Sequence, residues 1–221
     1  MADYPKINTL FKRDETTKNI IIGDYTTDYF KTLERTLWEC TEKIDGTNIH
    51  IDIDWRSEND WSISFHGRTE RANIPTHLCA KLHQMFDSLN PNDVFTYKSP
   101  CKIQIFGEGY GVKIQKGGNY ISNGVDFILF DVRINGLWLQ RESLEDIANK
   151  LEVKIVPLIG YMTLMDAIEF VKKGYKSTIA ENKDYDAEGL VLKTQDGLLD
   201  RRGDRIITKL KKRDFAFLEK Q

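Results

Sequence analysis

The stretch Ile49-His50-Ile51-Asp52-Ile53-Asp54-Trp55-Arg56-Ser57-Glu58-Asn59-Asp60-Trp61-Ser62-Ile63-Ser64-Phe65 decides the fold class. Apolar residues alternate at Ile49, Ile51 and Ile53, then at Trp61, Ile63 and Phe65, with polar residues between them. That period of two predicts two strands with one buried face, joined through 56–60. Working outward, 102–106, 126–132, 188–193 and 205–211 also read as strands, rich in Ile, Val, Leu and Phe. Helices punctuate them. Leu78, Leu82, Met85, Phe86 and Leu89 form one apolar stripe at helical spacing, closed by Asn90-Pro91. Ser143 with Asp146, and Thr163 with Asp166, have capping-box spacing, and Gly174 is placed to end the helix whose Ile168 and Val171 face inward. Helices set between antiparallel-looking strands predict an α+β fold.

The 221 residues carry 32 Lys plus Arg against 34 Asp plus Glu, with 40% hydrophobic and 30% charged residues. Apolar runs such as Asn19-Ile20-Ile21-Ile22 and Phe127-Ile128-Leu129-Phe130 are strand-sized, far short of the roughly 18 residues of a membrane span. Met1-Ala2-Asp3-Tyr4-Pro5-Lys6 lacks the basic and apolar regions of a secretory leader, so a cytoplasmic location is expected. Cys40, Cys79 and Cys101 are far apart and read as reduced packing residues; His50, His66, His77 and His83 show no zinc-ligand spacing. The net charge of −2 is unevenly spread. Arg201, Arg202, Arg205, Lys209, Lys211, Lys212 and Arg213 against Asp204 make 201–213 a +6 segment and leave −8 for the rest.

Six short segments carry the chemistry, in this order. Glu42-Lys43-Ile44-Asp45-Gly46-Thr47-Asn48 precedes the first clean strand, and Gly67-Arg68-Thr69 follows the second. Phe106-Gly107-Glu108-Gly109-Tyr110-Gly111 follows the third, where its glycines read either as a close approach to a ligand or as a flexible turn. Then come Asp126 to Asp131, Ala187-Glu188-Gly189-Leu190-Val191-Leu192-Lys193, and Thr208-Lys209-Leu210-Lys211. Taken alone, Lys-x-Asp-Gly is a turn signature with a solvated lysine. Lys209 and Lys211, two apart on a strand, leave one face roughly 7 Å from each other while Leu210 points into the core. Glu188 and Lys193, five apart, fall on opposite faces of an unbroken strand unless Glu188 stands at its start or beside a bulge.

In this order the segments resemble the covalent nucleotidyltransferase superfamily of polynucleotide ligases and messenger-RNA capping enzymes. Within it the chain is most similar to ATP-dependent RNA ligases of the bacteriophage RNA ligase 2 type, from about Trp38 to Lys211 and more loosely over Tyr4 to Phe11. The resemblance implies an α+β nucleotidyltransferase (ATP-grasp-like) domain of antiparallel sheets flanked by helices, with no OB-fold. It implies that Lys43 attacks the α-phosphate of ATP, forming lysyl-AMP and releasing pyrophosphate. An unperturbed lysine has a pKa of about 10.4, so the attacking amine needs desolvation or neighbouring positive charge, which Lys209, Lys211 and Mg²⁺ (or Mn²⁺) would supply. Lys209 and Lys211 are then catalytic, holding the α-phosphate. Glu188 places the metal and Lys193 touches the nucleotide phosphate. Arg68 and Glu108 contact the ribose and nucleotide, Phe130 stacks on adenine, and Glu42, Asp45 and Asn48 are the remaining nucleotide-binding residues.

The chain ends ten residues after Lys211, so a single adenylyltransferase domain over 1–221 is expected, without the helical C-terminal domain of phage-type ligases. A minimal ligase, a partner chain supplying that domain, and a truncation are the three readings of this. Arg201, Arg202, Arg205, Lys212 and Arg213, with Lys172-Lys173, are the candidate contacts to nucleic acid: RNA with 5′-phosphate and 3′-hydroxyl ends, a hybrid or a nicked duplex. The alternatives are an ATP-dependent DNA ligase, a capping-type transferase, or a binder that does not seal.

Overall fold

The alternating stretch is an antiparallel hairpin in the structure, with Ile51 opposite Phe65 and Ile53 opposite Ile63. The computed structural model describes residues 4–69, 72–96, 100–115 and 119–218; Met1-Ala2-Asp3, read above for a leader, lie outside them. In chain order the elements are β1 (Phe11–Arg13), β2 (Ile20–Tyr25), α1 (Asp28–Thr32), β3 (Trp38–Glu42), β4 (Thr47–Ser57), β5 (Asp60–Gly67), α2 (Thr76–Phe86), α3 (Pro91–Val94) and β6 (Cys101–Gly111). They continue with β7 (Val125–Ile134), β8 (Leu137–Trp138), α4 (Arg141–Lys150), β9 (Lys154–Ile155), β10 (Leu158–Met162), α5 (Leu164–Lys173), β11 (Gly189–Thr194) and β12 (Ile207–Lys211). The chain divides into two units, Met1–Tyr4 with Asp45–Val156, and Pro5–Ile44 with Pro157–Gln221. Sheet-dominated α+β architecture holds in both.

The first unit is built on a sheet ordered β5-β4-β6-β7-β8, with β9 parallel to β7. Ile49, Ile51, Ile53, Ile103, Ile105, Phe127 and Leu129 form its buried face, covered by Leu78, Leu82 and Phe86 of α2 and by Leu144 and Ile147 of α4. The glycine-rich segment 107–111 is not a turn; it lies inside β6. A Cβ on Gly107 would fall 2.2 Å from the Phe127 ring, and one on Gly109 would fall 2.3 Å from Leu78. Glycine there lets a ring and a helix seat directly on the strand. Asn90-Pro91 does not merely close α2, which ends at Phe86; Asn90 caps α3 by accepting from the Asn92 amide at 3.0 Å, with Pro91 in the first turn. Ser143 and Asp146 form no capping box. α4 starts earlier, after Gln140, and Arg141 ties its first turn to Glu145 at 2.6 Å and to the Val156 carbonyl at 2.9 Å.

The second unit holds the sheet β10-β3-β11-β12, all antiparallel, and the β1-β2 hairpin. Trp38, Cys40, Leu190, Leu192 and Leu210 bury one face against Phe30, Leu10 and the α5 residues Leu164, Ile168 and Val171. Burial pushes the Cys40 thiol up to about 12, so it is an inert packing group. α5 is capped as its spacing predicts: Thr163 Oγ1 accepts from the Asp166 amide at 3.2 Å, and Gly174 ends the helix at φ +78°. Thr163→Ala is expected to cost about 1 kcal/mol, lowering the melting temperature by roughly 2–4 °C in calorimetry.

Candidate active site

The second unit's sheet presents its other face through Thr41, Val191, Lys193, Lys209 and Lys211, because each alternates with a core residue. Lys209 and Lys211 are half-buried, while Thr208 and Leu210 between and beside them are buried. Lys211 pairs with Gly189, so the residue just before the β11 start, Glu188, lies beside it. There the Glu188 carboxylate joins two lysines: Oε2 is 2.6 Å from the Lys43 Nζ, and Oε1 is 2.6 Å from the Lys211 Nζ. The strand-start position resolves the odd spacing of Glu188 and Lys193. The backbone locks the arrangement. The Gly189 carbonyl accepts from the Lys43 amide at 2.9 Å and from the Tyr175 hydroxyl at 2.7 Å, and the Glu188 carbonyl accepts from the Lys212 amide at 2.9 Å.

Burial alone would raise the Glu188 carboxyl, but the charges and hydrogen bonds of Lys43 and Lys211 outweigh it and hold it below its ordinary 4.5. A depressed folded value means that this ion-pair stabilisation is complete above the ordinary value and is lost as pH falls through the folded one. Glu188→Gln is therefore expected to melt below wild type at neutral pH, with the gap closing on acidification below about pH 4.5. A gap independent of pH in that range would contradict the ion-pair account.

Glu42, assigned above to nucleotide binding, is turned elsewhere. Its carboxylate is buried and accepts from the Ser177 hydroxyl, from the Thr178 amide at 2.9 Å and from the Thr178 hydroxyl at 2.7 Å. It anchors the end of β3 to the 177–178 loop and so braces the segment that carries Lys43. Ser177 and Thr178 carry no sequence motif, so only tertiary contact could have revealed them.

The remaining candidates lie in the first unit. Arg68 is exposed just beyond the end of β5. Asn48 and Glu108 are direct cross-strand partners, and the Asn48 Oδ1 is buried without a hydrogen-bond partner among the described residues. Such an orphaned acceptor is costly unless a ligand or water satisfies it. The Asp45 amide donates to the Tyr120 hydroxyl at 3.1 Å. Phe130 occupies the β-bulge that arises because Phe106 pairs with Asp131 but Gly107 with Leu129. The bulge leaves Phe130 half-buried, its ring 5.0 Å from that of Tyr4, whereas Phe127 and Leu129 are in the core. Asp131, at the end of the 126–131 segment, is fully buried and accepts from the Tyr4 hydroxyl at 2.6 Å.

Of the basic segment, Arg201, Arg202 and Arg213 are exposed and Arg205 is half-buried, while Lys212 pairs with Asp186 at 2.8 Å and Lys172 with Glu169 at 3.5 Å. Among the described residues no three His, Cys, Asp or Glu side chains gather into a metal cage. No helix of the described chain is long and apolar enough to cross a membrane.

The RNA ligase family pattern matches residues 36–211, most of the chain and every segment singled out above from Lys43 to Lys211. The chain belongs to the RNA ligase family. Among solved structures, this RNA ligase family member is similar to variants of the Naegleria gruberi RNA ligase solved with ATP and Mn: one at TM-score 0.61 and 17% identity, covering 98% of this chain and 63% of that one. A second has TM-score 0.61 and 19% identity, with 99% and 60% covered. The same enzyme with PPi matches at TM-score 0.58 and 20% identity, with 99% and 64% covered. The likeness is one of fold, and the chain spans about three fifths of the length of those relatives. No curated protein matches it by sequence.

Proposed function

We propose that the protein is an ATP-dependent RNA ligase that adenylylates itself on Lys43, passes AMP to an RNA 5′-phosphate and seals it to a 3′-hydroxyl. The observation that carries this reading is the Glu188 carboxylate joined to both Lys43 and Lys211. The carboxylate aims the Lys43 Nζ while its charge favours the ammonium, so the free amine forms when Glu188 exchanges Lys43 for another partner. In the first step the Lys43 nitrogen, having given up a proton to solvent, forms a bond to the α-phosphorus, and the bond from that phosphorus to the bridging oxygen breaks as pyrophosphate leaves. Lys211 and Lys209 offer positive charge to the phosphate oxygens where negative charge develops. Glu188 holds the Lys43 Nζ in place, and Glu42 fixes the strand end beneath it.

The donor set fits a divalent ion of the Mg²⁺ type. Such an ion prefers one or two carboxylates with waters and phosphate oxygens, and Glu188, whose two oxygens are held by Lys43 and Lys211, would ligate it by releasing one of them. When bound, the ion would shield phosphate charge during transfer. Arg68, Glu108, Asn48, Phe130, Asp45 and Lys193 are the proposed nucleotide contacts; the family motifs and the orphaned Asn48 Oδ1 support them. The RNA ends, and any partner chain that adds what the longer relatives carry, belong to the same proposal, as does a single adenylyltransferase module.

Incubation with α-labelled ATP and Mg²⁺, followed by peptide mapping, should place acid-labile AMP on the peptide containing Lys43. Labelled GTP and a DNA nick serve as competitors that separate capping-type and DNA-ligase readings. A protein that takes up no label from ATP would sink the proposal.

A further inference from the structure

The face of the first unit's sheet that turns away from its helices carries a buried polar cluster that the proposed ligase chemistry does not use. His50 and Asp52, two apart on β4, share that face; β6 sets Gln104 directly across from Asp52, and β5 sets His66 across from His50. His50, Asp52 and Gln104 are 3%, 5% and 6% exposed. Their tips meet. His50 Nε2 lies 2.9 Å from Asp52 Oδ1, and Gln104 Nε2 lies 3.1 Å from each of these two atoms. No placement of protons satisfies all three edges of this triangle. A neutral His50 that accepts from Gln104 turns its lone pair on the carboxylate, whereas a His50 that donates to Asp52 faces the amide N–H. Rotating the amide half a turn moves the conflict to its oxygen and Asp52. Asp52 Oδ2, meanwhile, is buried with no hydrogen-bond partner among the described residues.

A cation removes the conflict, because it takes a lone pair from every corner. Ligand atoms at about 2.1 Å and at right angles around an octahedral divalent ion stand about 3.0 Å apart, whereas tetrahedral ones stand about 3.4 Å apart. The edges here, 2.9, 3.1 and 3.1 Å, match the octahedral spacing. Burial pushes the Asp52 carboxyl up, but His50 and then Gln104, with exposed Lys102 adding its charge, outweigh it and hold the group below its ordinary 3.8, so it is anionic at neutral pH. Phe106 stacks on the His50 ring at 4.6 Å and fixes its plane. His66 stands 3.9 Å from the orphaned Asp52 Oδ2, bonded to Ser64 at 2.9 Å; it is half-buried and Ser64 is exposed, so β5 is the side of entry.

We propose that His50, Asp52 and the Gln104 amide oxygen bind a divalent first-row transition-metal ion as one face of an octahedron, with His66 beside it at the open side. Imidazole among the ligands selects such an ion over Mg²⁺. The site is separate from Glu188 of the second unit and stands whether or not Lys43 is adenylylated. Bound there, the ion ties β4 to β6 one strand repeat from Asn48 and Glu108, a cross-strand pair on the same face. Sequence spacing does not mark it, because the third ligand is an amide brought in by register from 54 residues away.

Tag-free, nucleotide-free protein is dialysed against Ni²⁺ with Mg²⁺ in large excess, and bound metal is counted by emission spectrometry. Wild type and Glu188→Gln should each retain one Ni²⁺, and Asp52→Asn, which keeps the shape of the side chain, should bind it about a hundredfold more weakly. Gln104→Glu supplies a second carboxylate and should bind it at least about tenfold more tightly. Without metal that variant sets two carboxylates against each other, so adding Ni²⁺ should raise its melting temperature by more than that of wild type. A cluster held by hydrogen bonds alone predicts no such gain. Should Asp52→Asn fail to fold, Gln104→Glu decides. Wild type that retains no Ni²⁺ against Mg²⁺, an Asp52→Asn variant that retains it as wild type does, or a Gln104→Glu variant that binds it no more tightly overturns the proposal. Loss of the ion from Glu188→Gln overturns it too, since the ion then belongs to the second unit.

Discussion

Lys43→Ala is expected to take up no AMP from labelled ATP, under conditions where wild type labels to completion. The side chain is the only source of the nitrogen that bonds to phosphorus in the proposed step, so the loss is total rather than partial. A second substitution separates chemistry from charge. Lys43→Arg keeps a cation for Glu188 but presents a guanidinium that stays charged at all accessible pH, and it too should take up no label. The two variants should differ in stability. Removing the ammonium deprives the largely buried Glu188 of one of its two counter-ions, while Lys211 remains at 2.6 Å, so Lys43→Ala should cost about 1–2 kcal/mol and Lys43→Arg less. Label on Lys43→Arg, detected by mass spectrometry on another residue, would show that the nucleophile has been misassigned.

Gly189→Ala is the second large effect, and it acts on backbone. Gly189 stands at φ +149°, where side chains are strained, and a Cβ there would fall 2.0 Å from the Leu210 carbonyl oxygen and 2.8 Å from the Lys211 Cα. Neither atom can move without separating β11 from β12. The expected cost is about 3 kcal/mol, or roughly 6–12 °C in melting temperature. Adenylylation should fall even in the fraction that remains folded, because the Gly189 carbonyl receives the Lys43 amide and the shift would part Glu188 from Lys211. Single-turnover labelling of folded protein, well below its melting temperature, measures this directly. A variant that melts as wild type does and labels at the same rate would show that the β11 entry tolerates a side chain.

Much of the fold was legible wherever one side of an element is buried. Ile49 to Phe65 and Thr208 to Lys211 show period two because their inward residues enter a core, and Leu78 to Phe86 shows helical period for the same reason. Legibility failed where a local signal has two physical uses. Glycines at 107 and 109 suit a turn, yet here they admit Phe127 and Leu78 to the strand. Ser143 with Asp146 has the spacing of a cap, but Arg141 begins the helix through contacts with Glu145 and with the distant Val156.

For the site, the sequence alone determined the order of the motifs, the shared face of Lys209 and Lys211, and Lys43 as the residue to test. The shared face of the two lysines follows from strand period, a local property, whereas Lys43 stands out only through the order of the six segments and the family resemblance that order carries. Tertiary structure decided that Glu188 joins Lys43 to Lys211, that Glu42 braces a loop, that Phe130 is displaced from the core by a bulge, and that Lys212 pairs with Asp186. Each of these depends on which strand lies beside which, on a register offset, or on a counter-charge far away in the chain. Lys43 and Glu188 are 145 residues apart, and only the pairing of β3 with β11 and of β11 with β12 closes that distance to 2.6 Å.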